Sequence, residues 1–294
     1  MSDDIENTPA ATREGDRIAK VLARAGVASR REAEKIVEAG RVTVNGKTVL
    51  TPAFNVTAKD RIVVDGAPLA EAEEPRIWLY HKPIGLVTTE RDEKGRNTVF
   101  STLPDDMPRV MSVGRLDINS EGLLLLTNDG ALKRKMELPS TGWLRRYRVR
   151  INGSLSEAKL DQLRKGIEVD GVQYAPVEVK FDRQQGANAW LTMGLREGKN
   201  REIRKLMEAM GVVVNRLLRI SYGPFQLGTL KPGAVEEVKQ RVVRDQMGLR
   251  DTPKPPKPVS KSKRPPPKRG TAASAKAKRP PLAGKPLGGK PPRK

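Results

Sequence analysis

The stretch GRLDINSEGLLLLTNDG, residues 114–130, decides how the rest of the chain is read. Leu123 to Leu126 form a short apolar run, closed by the turn formers Asn128, Asp129 and Gly130. A run of this kind fits a strand buried on both faces. Just ahead of it, Asn119, Ser120, Glu121 and Gly122 make a polar loop, and Arg115 and Asp117 flank a single leucine. A carboxylate is thus carried on a loop at the edge of a core, where a rigid scaffold can hold it. Read alone, Asp117 fits a turn cap balanced by Arg115 as well as a reactive group, since paired acids are commonly structural.

Downstream, residues 131–138 predict a short helix ended by Pro139. From Arg146 to Ile151 the chain alternates: Tyr147, Val149 and Ile151 point one way, Arg146, Arg148 and Arg150 the other, as in a half-buried strand. Tyr147 therefore sits on the apolar face, where the pattern alone reads it as a core tyrosine. Ser156 can cap a helix carrying Leu160, Leu163 and Ile167, and strands are expected over 172–181 and 189–195. The run REGKNREIRKLMEAMG (196–211) predicts a helix from Asn200, with Ile203, Leu206, Met207 and Met210 inward as core filling. Lys199, Arg201, Arg204 and Lys205 cluster near its start, a pattern that suits phosphate or an ordinary solvated face. Leu217 to Ile220 read as another buried strand.

Upstream, Ile77 to Tyr80 and then Leu86 to Thr89 predict two strands separated by a kink at Pro83 and Gly85, with loop over 90–110. His81 is the chain's one histidine, and a structural role is expected of it. Residues 66–76 are rich in Ala, Glu and Pro and read as a linker that lets the parts move. Before it, Asp16 can cap a helix with Ile18, Val21, Leu22 and Ala25 on one face, and Ser29 with Glu32 makes a capping box for a second. Val42 and Val44 alternate up to Asn45-Gly46, a two-residue hairpin signal. Arg24, Arg30, Arg31, Lys35 and Arg41 decorate this small unit.

The chain has 294 residues, 56 Lys and Arg against 35 acids, a net charge of +21 and no cysteine. The surplus favours a polyanionic partner, nucleic acid before a membrane surface. Without cysteine there is no disulfide or thiolate, and one histidine excludes multi-His zinc sites. The acidic, polar N-terminus does not read as a signal peptide, and no apolar stretch is long enough to span a membrane. Residues 1–14 are expected to be disordered. So is 246–294, where the stretch from Asp251 holds fourteen Lys or Arg, one acid and twelve prolines.

GRLD followed by NSEGLLLLTNDG resembles the signature of the RsuA/RluB branch of RNA pseudouridine synthases. The opening His81-Lys82-Pro83, the strand Tyr, EGKNREIRKLM and SYGPF with LKPG resemble other motifs of that family. ARAGVASRREAEKIVEAGRVTVNG resembles the S4 RNA-binding domain. The resemblance implies an α+β fold: an S4-like module at 15–65, then a mixed, mostly antiparallel synthase sheet domain at 77–245. It also implies that Asp117 is the catalytic carboxylate, that Tyr147 stacks on the target uracil and that a basic residue pairs with Asp117. Arg204 is the position carried over for that pairing, with Arg201 as the fallback. Leu218 is carried over as the uracil-pocket leucine. Arg30, Arg31, Lys35, Arg41, Asn45, Arg115, Lys199, Arg201 and Lys205 become candidate RNA contacts, chiefly to phosphates.

The implied activity is conversion of a uridine to pseudouridine in ribosomal RNA, with the base extruded and with neither cofactor nor metal. The S4 module and long basic tail resemble the large-subunit (23S) enzymes of the branch more than the shorter small-subunit one. The expected protein is a cytoplasmic monomer without membrane association. The competing expectation is a ribosome assembly factor that binds rRNA through the same module and carries an inactive synthase-like domain. Scattered acids speak against a Mg²⁺-dependent nuclease.

Overall fold

The computed structural model describes residues 14–249; residues 1–13 and 250–294, on which the two expectations of disorder mostly fall, lie outside the described residues. In the N-terminal part, α1 (Ile18–Arg24) and α2 (Arg30–Glu38) cover a small antiparallel sheet. Its strands are β1 (Val42–Val44), β2 (Lys47–Thr48), β3 (Ile62–Val64) and β4 (Ala67–Pro68), in the order β2-β1-β3-β4. Ile18, Leu22, Ala33, Val37, Val42 and Val44 form its core. The Ser29 hydroxyl accepts the Glu32 N–H at 3.2 Å and the Glu32 carboxylate accepts the Ser29 N–H at 3.3 Å, so the capping box forms. Asn45 (φ 53°) and Gly46 (φ 85°) both take the left-handed conformation that a two-residue hairpin turn needs. Asp16 does not cap α1. Arg17 holds that position, while Asp16 pairs along the backbone with Val56 and through its carboxylate with Lys20.

The expected linker at 66–76 is tied down at both ends. Ala67 and Pro68 pair with β3, and Leu69 packs on the small core. At the other end, Arg76 N–H donates to Asn128 Oδ1 at 2.7 Å, Asn128 Nδ2 donates to Glu74 O at 3.1 Å, and Gln240 donates to Pro75 O at 3.0 Å.

The larger part is organised by one sheet of nine strands. In chain order its main elements are β5 (Ile77–Lys82), β6 (Met111–Val113), β7 (Glu121–Thr127), α3 (Gly130–Glu137) and β8 (Arg145–Asn152). Then come α4 (Glu157–Lys165), β9 (Glu178–Gln185), β10 (Asn188–Leu195), α5 (Glu202–Ala209), β11 (Val213–Tyr222), β12 (Val235–Glu237) and α6 (Gln240–Met247). The strand order is β9-β10-β8-β11-β7-β5-β12, with β6 also on β7 and Phe225–Gln226 on β11. Every ladder is antiparallel except β11 with β7, so the α+β class with a mixed, mostly antiparallel sheet is as expected.

The leucine run explains why β7 lies inside. Leu123 and Leu125 face a layer with α3 and α6, while Leu124 and Leu126 face Trp78, Tyr80 and Val110. Both faces are dry, as a run without alternation requires. On β8, Val149 and Ile151 pack with Leu160 and Leu163 of α4 and with Ile203 and Leu206 of α5. The parallel junction depends on Gly122. Its φ is +106°, and a Cβ there would stand 2.3 Å from the Arg219 carbonyl oxygen. No helix of the described residues is long and apolar enough to cross a membrane.

Three local expectations are corrected. The second strand at 86–89 is reduced to one bridge, Val87 with Thr98, because Gly85 at φ +90° turns the chain back towards the GRLD loop. Helix α5 starts at Glu202, not Asn200, because Arg201 is left-handed at φ 52°. Helix α6 runs past residue 245 to the buried Met247.

Candidate active site

The loop from Gly114 to Ser120 is fixed through its backbone. The Leu116 carbonyl accepts from Thr88 Oγ1 at 2.9 Å, and the Ile118 carbonyl accepts the Gly85 N–H at 2.8 Å. The carbonyls of Asp117 and Ser120 accept from Lys82 Nζ at 3.1 and 2.9 Å. The Asn119 carbonyl accepts from Arg204 Nη2 at 2.7 Å. Each carbonyl from Leu116 to Ser120 therefore has a donor, and the Asp117 side chain is left to face outward, 31% exposed. A side chain aimed by a backbone held at every step is pre-organised.

Asp117 lies in a cleft of about 510 Å³, lined among others by Arg115, Tyr147, Leu195, Arg201 and Leu217. Arg201 Nη1 stands 3.9 Å from Asp117 Oδ2. Arg201, the fallback, is thus the cation within ion-pair distance of Asp117, while Arg204, the position carried over, lies close enough to feel that charge but not to pair with it. Arg204 spends its guanidinium on backbone, donating to Asn119 O and to Val214 O at 3.1 Å. Burial first, and then the neighbouring Arg201, hold the Arg204 pKa below its usual value. The left-handed turn at Arg201 presents that side chain at the mouth of the cleft, whereas Arg204 points along the seam between loop and β11.

The two leucines are separated by the sheet. Leu217 lines the cleft, and Leu218 packs on the opposite side of the sheet with the layer containing Leu123 and Tyr222. Adjacent strand residues face opposite ways, so a shift of one position exchanges the cleft side of the sheet for the far side. Tyr147 borders the cleft half-buried and touches two of the apolar clusters, as its place on the inward face of β8 predicts.

Lys82 is fully buried, and burial pushes its pKa down to about 8 against the opposing charges of Asp117 and Glu121. The sequence reading did not single it out. Its signal was a lysine at the end of an otherwise apolar strand, inside the His-Lys-Pro motif. Glu202 was also missed. It is buried, its carboxylate accepts the Lys199 N–H at 2.9 Å, and burial, reinforced by Glu197, pushes its pKa up to about 7. His81 is structural, as expected, with Nδ1 2.7 Å from the Leu230 carbonyl.

The other candidate contacts divide into two groups. Arg115 is exposed at the cleft, and Lys199 lines it but is tied to Glu197 and to Gln173 O at 2.7 Å. Lys205 is exposed on α5 outside the cleft lining. In the small domain Arg30, Arg31 and Lys35 are exposed along α2. Arg41 is held by Asp65 through two hydrogen bonds of 2.7 and 2.6 Å. The Asn45 side chain bonds Asp60 and the Arg61 N–H, which makes it part of the hairpin scaffold.

A family profile described as RNA pseudouridylate synthase matches residues 76–209, and an S4 domain profile matches residues 16–62. A Rickettsia felis chain described as an uncharacterized RNA pseudouridine synthase is 47% identical over 227 residues, which cover 77% of this chain and 98% of that one. A Salmonella typhi chain named ribosomal large subunit pseudouridine synthase B is 43% identical, over 72% of this chain and 75% of that one. A solved pseudouridylate synthase has the same fold, with a TM-score of 0.55 at 24% identity, covering 78% of this chain and 98% of that one. This chain belongs to the RNA pseudouridine synthases and carries an S4 domain at its N-terminal end.

Proposed function

We propose that the protein isomerises a uridine of ribosomal RNA, in the large subunit (23S), with Asp117 as the reacting carboxylate and no cofactor. The observation that carries this reading is the loop geometry: Asp117 is aimed into the cleft by a fully held backbone, with Arg201 at 3.9 Å and Tyr147 on the wall. The neighbouring acids Glu137 and Glu197 are instead tied to Lys133 and Lys199. The large-subunit assignment draws on the name of the Salmonella typhi relative.

In the reaction the bond from uracil N1 to ribose C1′ breaks, the base turns while held, C5 bonds to C1′, and the proton on C5 leaves. The C5 proton passes to water and N1 takes one up in exchange, while all other atoms stay within one nucleotide, so the balance calls for no oxidant or reductant. Asp117 acts at the base and sugar. Tyr147 stacks on the detached uracil, and Leu217 closes the wall beside it. The target must first leave its stack, at a cost of a few kcal/mol that is least in a loop or bulge. The cleft has the size of an ordinary small-molecule site, enough for one nucleotide. Arg30, Arg31 and Lys35 hold phosphates and so orient the RNA without reading its sequence. The protein works as a cytoplasmic monomer, in the compartment of its ribosomal substrate.

The test is tritium release from 23S rRNA labelled at uridine C5, by wild type and by Asp117→Asn. Release by the wild type alone is expected, and mapping of the product names the uridine. Tight salt-sensitive binding without release, on free rRNA and on partly assembled subunits alike, would leave an assembly factor instead.

A further inference from the structure

The side of β8 turned away from α4 and α5 carries Arg146, Arg148 and Arg150, with the apolar layer of α3 and α6 reaching no further across this side than Leu218 of β11 among the described residues. Strand register sets a row across it. Arg216 of β11 pairs with Arg150, Arg150 with Trp190 of β10, and Trp190 with Arg183 of β9. At the usual spacing between strands this row is about 14 Å long. It sets three cations around one indole. Arg148 adds a layer, its guanidinium 5.0 Å above the Trp190 ring.

The charges on this face do not cancel. Arg146 and Arg148 lie 3.8 and 3.9 Å from Glu178 and Asp182, and Arg216 pairs with Glu121. Arg150, Lys180 and Arg183 have no carboxylate partner among the described residues. The Nε atoms of Arg148 and Arg150 are buried without an acceptor. The buried Nε holds each arginine stem against the sheet, so a phosphate would be met by the outer Nη groups of the half-buried guanidinium of Arg150.

We propose that this row is a second RNA-contact surface, separate from the cleft, which takes a single-stranded segment of the substrate. Arg150, Arg183 and Arg216 meet phosphates, and an unpaired base stacks on the Arg148–Trp190 pair. Stacking on aromatic rings and guanidinium planes is how unpaired bases are held, and a positive groove beside such a platform follows a backbone. The surface lies on the opposite side of the sheet from Tyr147, so it adds affinity and not chemistry. This inference rests on the reading that RNA is the substrate.

The test uses the full-length chain, an unstructured RNA of about 16 nucleotides, the upper size for one such groove, and the target stem-loop alone. For Arg150→Gln/Arg183→Gln, the slope of log affinity for the single strand against log salt should become shallower by about 1.4, the loss of two phosphate contacts. Turnover of the short stem-loop should stay at the wild-type level. Tryptophan emission should be quenched by the single strand in the wild type and not in Trp190→Phe. Should the paired variant unfold, Arg183→Gln alone, an exposed substitution, should still lose half of that slope change. An unchanged slope together with quenching that persists in Trp190→Phe would overturn the surface and leave the face to a protein partner. Absence of turnover by the wild type on any RNA would instead sink the enzymatic reading, because slope and quenching are read without catalysis.

Discussion

Asp117 is distinguished from the other acids by what holds its backbone. Five successive carbonyls have donors, and two of those donors are cations, Lys82 fully buried and Arg204 half-buried. Their roles separate experimentally from that of Arg201. Arg201→Ala should lower kcat by tenfold or more with little change in melting temperature, since Arg201 is exposed and touches only the carboxylate. Arg204→Met should lower both, with a stability loss of about 2 kcal/mol in all for the two charged hydrogen bonds to half-exposed backbone carbonyls. Thermal melts and single-turnover kinetics on the two variants check this. Glu202 gives a pH signature. Its folded pKa of about 7 lies above the ordinary 4.5, so between those values the native state holds a proton that the unfolded chain has lost. Stability therefore falls as pH rises through that window, and the cost is complete above it. Glu202→Gln keeps the acceptor for Lys199 and removes the charge, so it should raise the melting temperature at pH 8 and barely alter it at pH 4.5.

At the scale of elements, the parallel contact between β7 and β11 joins the two halves of the large sheet. It brings the GRLD loop beside the strand that carries Leu217. Gly122→Ala should break this junction, since the added methyl meets the Arg219 carbonyl at 2.3 Å on a left-handed backbone. A loss of about 3 kcal/mol or more is expected, with activity falling alongside, by urea melts and tritium release. Strand alternation makes a second, sharper test. Leu217→Ala should lower kcat/KM and also cost about 2–4 kcal/mol of stability, since Leu217 is buried in the core as well as lining the cleft, whereas the half-buried Leu218→Ala should cost less stability and leave kcat/KM unchanged.

Across the whole molecule, charge is spread over several surfaces: α2, the cleft mouth, the arginine row and the sequence beyond residue 249. The stretch from Asp251 alone carries fourteen cations and one acid. Truncation after Leu249 should leave kcat on a short stem-loop unchanged and weaken binding to long rRNA, with a flatter salt dependence; filter binding at several salt concentrations reads it. Between the small and large domains Arg24 lies 3.6 Å from Asp129, and Arg91 bonds Glu32 at 2.5 Å. Pairs with an exposed cation of this kind contribute little stability.

Local signals determined a good deal of this protein from sequence alone. The leucine run fixed a two-sided buried strand, the β8 alternation put Tyr147 inward, and Ser29 with Glu32 and Asn45 with Gly46 set a cap and a turn. Each depends on neighbours within a few residues, so a linear reading suffices. The motif wording also carried the family, and with it the expectation for Asp117. Tertiary structure decided which partner completes each group. That Arg201 stands at ion-pair distance from Asp117 while Arg204 bonds to backbone turned on a left-handed residue at the start of α5. The choice of Leu217 over Leu218 turned on the facing of one strand against another. Lys82 found its carbonyls 35 and 38 residues away. Such pairings are set by the register between distant strands and by the crossing of a loop over a helix end, and no local pattern encodes either.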